Sequence, residues 1–323
     1  MSRTADLYAP IAEPLGQVRR LLDEELSSDL PIVRDLGAHV RGYRGKMIRP
    51  ALVLLSGQAC GAVRREHVVL AAVVELVHMA TLVHDDVLDD SRMRRRLPTV
   101  NHLRGNEAAV LLGDVLISRA FHLCSTLEST YAARLIGSTT NTICEGELLQ
   151  VHHRGNLDLT AEEYFGIVAR KTASLMSTCC VLGARYAGAD AAAIARLETY
   201  GMDAGMAFQI VDDVLDIGGS EEQMGKTLGR DIEKGELTLP VIHFLAHAPA
   251  ERRREARRAL SNGTPDRTAI LRRLLDGSES LRYAMDVAAR YARSARAALA
   301  GIPEGPARRS LEAIAEFVVS RTM

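Results

Sequence analysis

Apolar residues recur at three- and four-residue spacing along almost the whole chain, and no run alternates apolar and polar residues as a half-buried strand would. The pattern predicts an all-α fold. Two helices fill the first 43 residues, parted near Ser27-Ser-Asp-Leu-Pro31. Arg44 to Pro50 reads as a turn, with Pro50 suited to the first position of a helix that stops at Gly61. A long helix is predicted over Arg64–Asp90, a basic loop over Arg92–Gly105, and helices over 106–127 and 132–153. Thr160-x-x-Glu163 is a capping box opening a helix to Ala187. A second long helix covers 191–217, Gly218 to Gly235 reads as loop, and four helices fill Pro240 to the end. Their breaks fall at Asn262-Gly-Thr-Pro265, Gly277 and Ile302-Pro-Glu-Gly-Pro306.

The two long helices end alike. Glu75-Leu-Val-His-Met-Ala-Thr-Leu-Val-His-Asp-Asp-Val-Leu-Asp-Asp90 is apolar and then closes in four carboxylates, and Phe208-Gln-Ile-Val-Asp-Asp-Val-Leu-Asp216 repeats the ending. Residues four apart share a helix face, so Asp85 pairs with Asp89 and Asp212 with Asp216. Like charges so placed destabilise a bare helix, and a cation between them removes the conflict. Oxygen-only ligands suit Mg²⁺, which usually bridges one or two carboxylates to a substrate phosphate. The alternating ligands and central Gly of a Ca²⁺ loop are absent. One such ending alone would be read as a solvated helix end. Two, each led in by a strongly apolar run, are read as carboxylates facing each other across the mouth of one cavity.

Composition narrows the reading further. A hydrophobic share of 47% and a charged share of 25% support a real core in 323 residues, and no Pro/Ser/Gly linker divides them, so a single domain over 1–323 is expected. A formal net charge of −1 gives no argument for nucleic acid. Five cysteines, odd in number and without a Cys-x-x-Cys pair, predict reduced thiols and a cytoplasmic location. The most apolar window, Val68 to Val83, is broken by Glu75 and His78 and reads as too short for a membrane span.

Cations stand where a phosphate would need them. Lys46 and Arg49 lie one turn apart after Gly45, whose missing side chain lets the backbone approach a ligand. His78 is two turns before Asp85 on the same face; alone it would be read as a satisfied core histidine. Arg94-Arg95 follows the first acidic ending, and arginine suits bidentate phosphate contact. Lys171-Thr172 interrupts an apolar helix, and Lys226 follows the second acidic ending as Arg94 follows the first. Metal-binding carboxylates, two sets of cations and apolar helix stems fit a substrate with a diphosphate head and a hydrocarbon tail.

The chain resembles the trans-isoprenyl diphosphate synthases. The matching signatures run in order: Gly45-Lys-x-x-Arg-Pro50, Glu75-x-x-His78, His84-Asp-Asp-Val-Leu-Asp89, Arg94-Arg95, Pro98-Thr99, Gly113-Asp114, Glu145-Gly146, Lys171-Thr172, Phe208 to Asp216, Gly225-Lys226, and Asp231 with Thr238-Leu-Pro240. The resemblance implies a bundle of roughly a dozen helices around a deep central cavity. It also implies head-to-tail condensation of isopentenyl diphosphate with an allylic diphosphate, with about three Mg²⁺. Asp85, Asp89, Asp212 and Asp216 would hold the metal. Arg94, Lys171, Thr172, Gln209 and Lys226 would hold the allylic diphosphate. Gly45, Lys46, Arg49, His78 and Arg95 would bind isopentenyl diphosphate. Asp85, Asp86, Asp89, Arg94, Lys171, Asp212 and Lys226 are the residues it implies for catalysis. A homodimer is likewise implied, and a small partner subunit is a variant of that reading.

The chain departs from the family at Arg44 and Arg96, which stand where glycine is usual, and at Met47, where arginine is. Lys234-Gly-Glu236 exchanges the charges of the usual Glu-Gly-Lys, which puts a diphosphate contact at 236 in doubt. The growing tail is expected along the stem of the first acidic helix, past Thr81, Ala80, Val77 and Val74. Ala80 and Thr81 are small where shorter-product enzymes carry an aromatic floor. The expected product is therefore C35–C50, with geranylgeranyl or farnesyl diphosphate as the alternative. A terpene cyclase would replace the second acidic motif and line its pocket with aromatics, which here make up only 4% of residues. A non-catalytic subunit would have lost one motif.

Overall fold

The computed structural model describes residues 7–218, 229–261, 264 and 266–320. Its helices are α1 (Ala12–Glu25), α2 (Pro31–Val40), α3 (Ile48–Ala59), α4 (Arg65–Leu88), α5 (Val100–Ser125), α6 (Tyr131–His152), α7 (Ala161–Val168), α8 (Ser174–Tyr186) and α9 (Ala191–Gly218). They continue as α10 (Arg230–Lys234), α11 (Leu239–His247), α12 (Ala250–Leu260), α13 (Arg267–Leu275), α14 (Ser280–Ala298) and α15 (Pro306–Ser320). Strands β1 (Met93–Arg94) and β2 (Leu97–Pro98) form one antiparallel ladder. The all-α expectation holds.

The chain divides into two compact units. The first comprises residues 1–140, 175–201 and 298–314, and the second comprises 141–174, 202–297 and 315–323. In the first unit α4 is the core element. It packs against α5, α3 and α1, and its side chains are buried all round from Val68 to Val77. A helix apolar on every side must be enclosed, which is why this stretch lacks an amphipathic stripe. His67 fixes its start: Nδ1 accepts the Arg64 N–H at 2.9 Å and Nε2 donates to the Gly183 carbonyl at 2.9 Å. In the second unit an apolar core joins Tyr164, Val168, Ile210, Val214 and Leu239 to Leu271, Leu275 and Val287.

Several boundaries differ from the periodic reading. The third helix begins at Ile48, with Met47 left-handed at its N-cap (φ 54°), so Pro50 is third rather than first. The basic stretch 92–105 contains the hairpin and a helical turn from Val100, broken at Gly105 (φ 84°, ψ 164°). Among the described residues five helices follow Thr238 where four were expected, because Ala248-Pro249 stops one after nine residues. Length does not exclude α4 from a membrane either: α4, α5 and residues 161–186 are each long and apolar enough to cross one. For α4, 78% of the apolar window is buried in the protein.

Candidate active site

In the first unit the acidic motif sits where α4 stops. Asp85 and Asp86 are in the last turn, and Asp89 is the C-cap. The Asp90 N–H bonds the Val87 carbonyl at 3.2 Å and the Ser91 N–H bonds the Asp86 carbonyl at 2.9 Å. That is a Schellman closure, with Asp90 (φ 45°) in the left-handed seat that glycine usually fills. The carboxylates therefore crowd the negative end of the helix dipole, where cations are favoured. Asp85 and Asp89 are half-buried, whereas Asp86 is 1% exposed. Arg94 grips Asp86: Nε lies 2.9 and 3.0 Å from its two oxygens and Nη2 is 2.9 Å away. The side chains at 85 and 89 are thus more open than the one at 86.

Arg49, His78, Arg94 and Arg95 gather with Glu75 behind this ending. Burial, reinforced by Arg49, Arg95 and Arg94, holds the His78 imidazole well below its ordinary titration range. It is therefore neutral and keeps one N–H to donate. Glu75 is 3% exposed; burial raises its carboxyl, opposed by Arg49, Arg95 and Arg44. The Arg95 guanidinium occupies the space that a side chain on Gly45 would fill. Four of the five residues expected for isopentenyl diphosphate are so brought together; Lys46 is exposed at the entry to α3. Val74, Val77 and Ala80 are fully buried in α4, and Thr81 is half-buried. Gly113 leaves room on α5 for the His84 ring, whose Nε2 lies 3.2 Å from the Val110 carbonyl and 3.5 Å from Asp114.

Arg95 and Arg96 form the two-residue loop of the β1–β2 hairpin, both with positive φ (49° and 65°). This is the geometry of a type I′ turn, which favours Asn and Gly. Arg96→Gly is expected to stabilise the protein by about 1 kcal/mol. The measurement is the urea midpoint, and a midpoint that does not rise would mean the turn carries no strain.

In the second unit the capping box forms as the sequence predicts: Thr160 Oγ1 accepts the Glu163 N–H at 3.2 Å, and Glu163 Oε2 accepts the Thr160 N–H at 2.8 Å. After α7 the helix widens into a π turn at Ala169–Ala173, a feature that often marks a functional site. Lys171 and Thr172 lie in it. Lys171 Nζ donates to Gln150 Oε1 at 2.8 Å and pairs with Glu147 at 2.6 Å. A Cβ at Gly146 would stand 2.8 Å from the Lys171 amide nitrogen, so glycine there permits the close approach of α6. Thr172 Oγ1 donates to Gln209 Oε1 (2.9 Å), Gln209 Nε2 to Asp213 Oδ1 (2.8 Å), and the Tyr164 hydroxyl to Asp213 Oδ2 (2.6 Å). Burial, then nearby Asp231, pushes the Asp213 carboxyl well above the usual range. Asp212 is half-buried. Asp216 is buried; its carbonyl takes the Gly229 N–H at 2.9 Å, and Oδ2 lies 3.4 Å from the Asp231 nitrogen. A cleft here is lined by Gln150, Tyr164, Lys171, Thr172, Gln209, Asp213, Asp231, Lys234 and Glu236. Lys226 lies outside the described residues.

Among the described residues no three metal-capable side chains form a ready-made nest. The donors at each acidic ending are still all carboxylate oxygens, and Mg²⁺ shared with a phosphate needs only one or two of them. Motif reading missed Tyr164, which holds Asp213, and the set Glu147, Gln150 and Arg154 around Lys171 and Glu236. Glu147 and Gln150 stand three apart on α6, with Arg154 in the turn just beyond its end, and that spacing was the available signal.

Residues 31–276 match the family model described as polyprenyl synthetase. The chain belongs to the polyprenyl synthetase family. It is accordingly a prenyltransferase with the family's all-α fold. It is 35% identical to the octaprenyl diphosphate synthase of Escherichia coli over 313 residues, 96% of each chain. A short chain isoprenyl diphosphate synthase of Methanothermobacter thermautotrophicus is 38% identical over 288 residues, 88% of each. Among solved structures, the polyprenyl synthase of Caulobacter crescentus, complexed with calcium and isoprenyl diphosphate, superposes with a TM-score of 0.94 at 35% identity. That match covers 98% of this chain and 97% of the other.

Proposed function

We propose that this trans-polyprenyl diphosphate synthase extends an allylic diphosphate with isopentenyl units to C35–C50. Asp85 and Asp89, with Asp212 and Asp216, are the Mg²⁺ ligands of this reading, for about three ions. The observation that carries it is the grouping of Arg49, His78, Arg94 and Arg95 behind the carboxylate end of α4. Cations set beside metal-ready carboxylates suit a metal-bound diphosphate. Bound Mg²⁺ would offset the charge that builds on a departing diphosphate.

The chain's own groups do the rest. Lys171, Thr172, Gln209 and Arg94 hold the allylic diphosphate, together with Lys226. Asp86 acts by aiming Arg94. Gly45, Lys46, Arg49, His78 and Arg95 hold isopentenyl diphosphate so that its double bond faces the allylic carbon, a gain in proximity and orientation. The C–O bond breaks and diphosphate departs with the electron pair. The isopentenyl π electrons form the new C–C bond, and a proton leaves to the released diphosphate. Small Ala80 and Thr81 leave the tail space to lengthen.

The test incubates purified protein with Mg²⁺, labelled isopentenyl diphosphate and each short allylic primer, and sizes the products. Chains of C35 or longer are expected, with activity abolished by EDTA and restored by Mg²⁺. Hydrocarbon released from an allylic diphosphate alone would instead mean a cyclase. Inactivity of the pure chain would assign it to a two-component enzyme. We place the enzyme in the cytoplasm on its five unpaired thiols. A homodimer through α5 is favoured by its exposed Leu103, Val110, Leu111 and Phe121. A monomer mass in sedimentation equilibrium of the same preparation would overturn that pairing.

A further inference from the structure

Glu236 puts a carboxylate into the lining of the cleft that also holds Lys171, a position that should repel a diphosphate. The residue is 8% exposed, and both of its oxygens are engaged. Oε1 accepts Arg154 Nε and Nη2, each at 2.8 Å, which cancels the charge. Oε2 accepts Gln150 Nε2 at 2.5 Å. The other end of the same amide, Gln150 Oε1, accepts Lys171 Nζ at 2.8 Å.

A glutamine amide has one end that accepts and one that donates. An ammonium can only donate and a carboxylate can only accept. Set between the two, Gln150 has one seating. Glu147 draws the ammonium from one side, and the Gln150 oxygen fixes the second direction. We propose that Glu236 is a positioning residue for the allylic diphosphate, acting through Gln150 to set the Lys171 ammonium at the cleft. The proposal rests on the assignment of Lys171 made above. It accounts for an acidic residue at 236 by the polarity of the amide it faces.

The test compares Lys171→Ala, Glu236→Lys, Gln150→Met and the double variant Glu236→Lys/Gln150→Glu in the full-length enzyme. Lysine at 236 gives Gln150 two donors and nothing to donate to. Glutamate at 150 accepts from both and restores the chain of bonds. Glu236→Lys and Gln150→Met are each expected to raise KM for the allylic diphosphate about tenfold, the worth of one hydrogen bond to a charged group, with KM for isopentenyl diphosphate unmoved. The double variant is expected to recover most of the loss. Gln150→Met keeps the side-chain volume and carries the test if Glu236→Lys does not fold. If Lys171→Ala raises the allylic KM while Gln150→Met and Glu236→Lys leave it alone, the relay is wrong and the site stands. A rise in both KM values together, or no recovery in a folded double variant, also overturns the relay. If Lys171→Ala itself changes nothing, the assignment of Lys171 falls and the relay with it.

Discussion

Asp85→Asn is expected to lower turnover about a thousandfold while leaving the thermal midpoint in place, because it removes charge where metal and diphosphate charge are to be balanced. The half-buried side chain sits in the last turn of α4, on a helix end that already repels anions. Removing one negative charge there should not cost stability. The neighbouring residue differs in that stability falls as well as activity. Asp86 is buried and gripped by Arg94 through two nitrogens, so Asp86→Asn leaves a guanidinium charge without its partner. Breaking such a pair costs about 3 kcal/mol, read as a lowered denaturant midpoint. Steady-state kinetics and unfolding curves on the two variants separate the roles. If Asp85→Asn retains normal turnover, the metal assignment at α4 is wrong.

Product length should respond as strongly at Ala80. The residue is fully buried in the stem of α4, with Val77 and Val74 below it. Ala80→Phe adds a ring in the path proposed for the tail and is expected to shift the main product to a short chain, C15–C20 by the family's pattern. Overpacking of a buried site costs roughly 1–3 kcal/mol, so folding is checked alongside. Thr81→Phe, at a half-buried position one residue on, should shorten the product with a smaller stability loss. Chromatographic sizing of the chains decides. An unchanged distribution in both variants would mean that the tail runs elsewhere.

Much of this was legible in the chain because the physics was local. A helix end loaded with carboxylates, a capping box at Thr160 and a helix break at Gly105 are each written within a few residues. The clustering of Gly45, Arg49, His78 and Arg95 was legible only through ordered motifs, since spacing alone does not bring position 45 to position 95. Helix boundaries near prolines were less secure: Pro50 and Pro249 mark a helix start and stop without saying which turn they occupy. What could not be read was the pairing of polar side chains across elements. Asp86 with Arg94, Tyr164 with Asp213, and Glu236 with Arg154 depend on burial and direction, which periodicity does not encode. The π turn carrying Lys171 was equally silent, because one residue too many in a helix leaves the apolar spacing almost untouched.

The discontinuous first unit bears on how the polypeptide is made. Its long core helix α4 ends at Leu88, yet the unit also draws on residues 298–314. At roughly ten residues per second, a ribosome needs about 20 s to travel from one to the other. Throughout that interval a segment long and apolar enough to cross a membrane belongs to a unit that is not yet complete. Nascent molecules of this enzyme should therefore be dependable clients of the holdase chaperones that meet emerging chains.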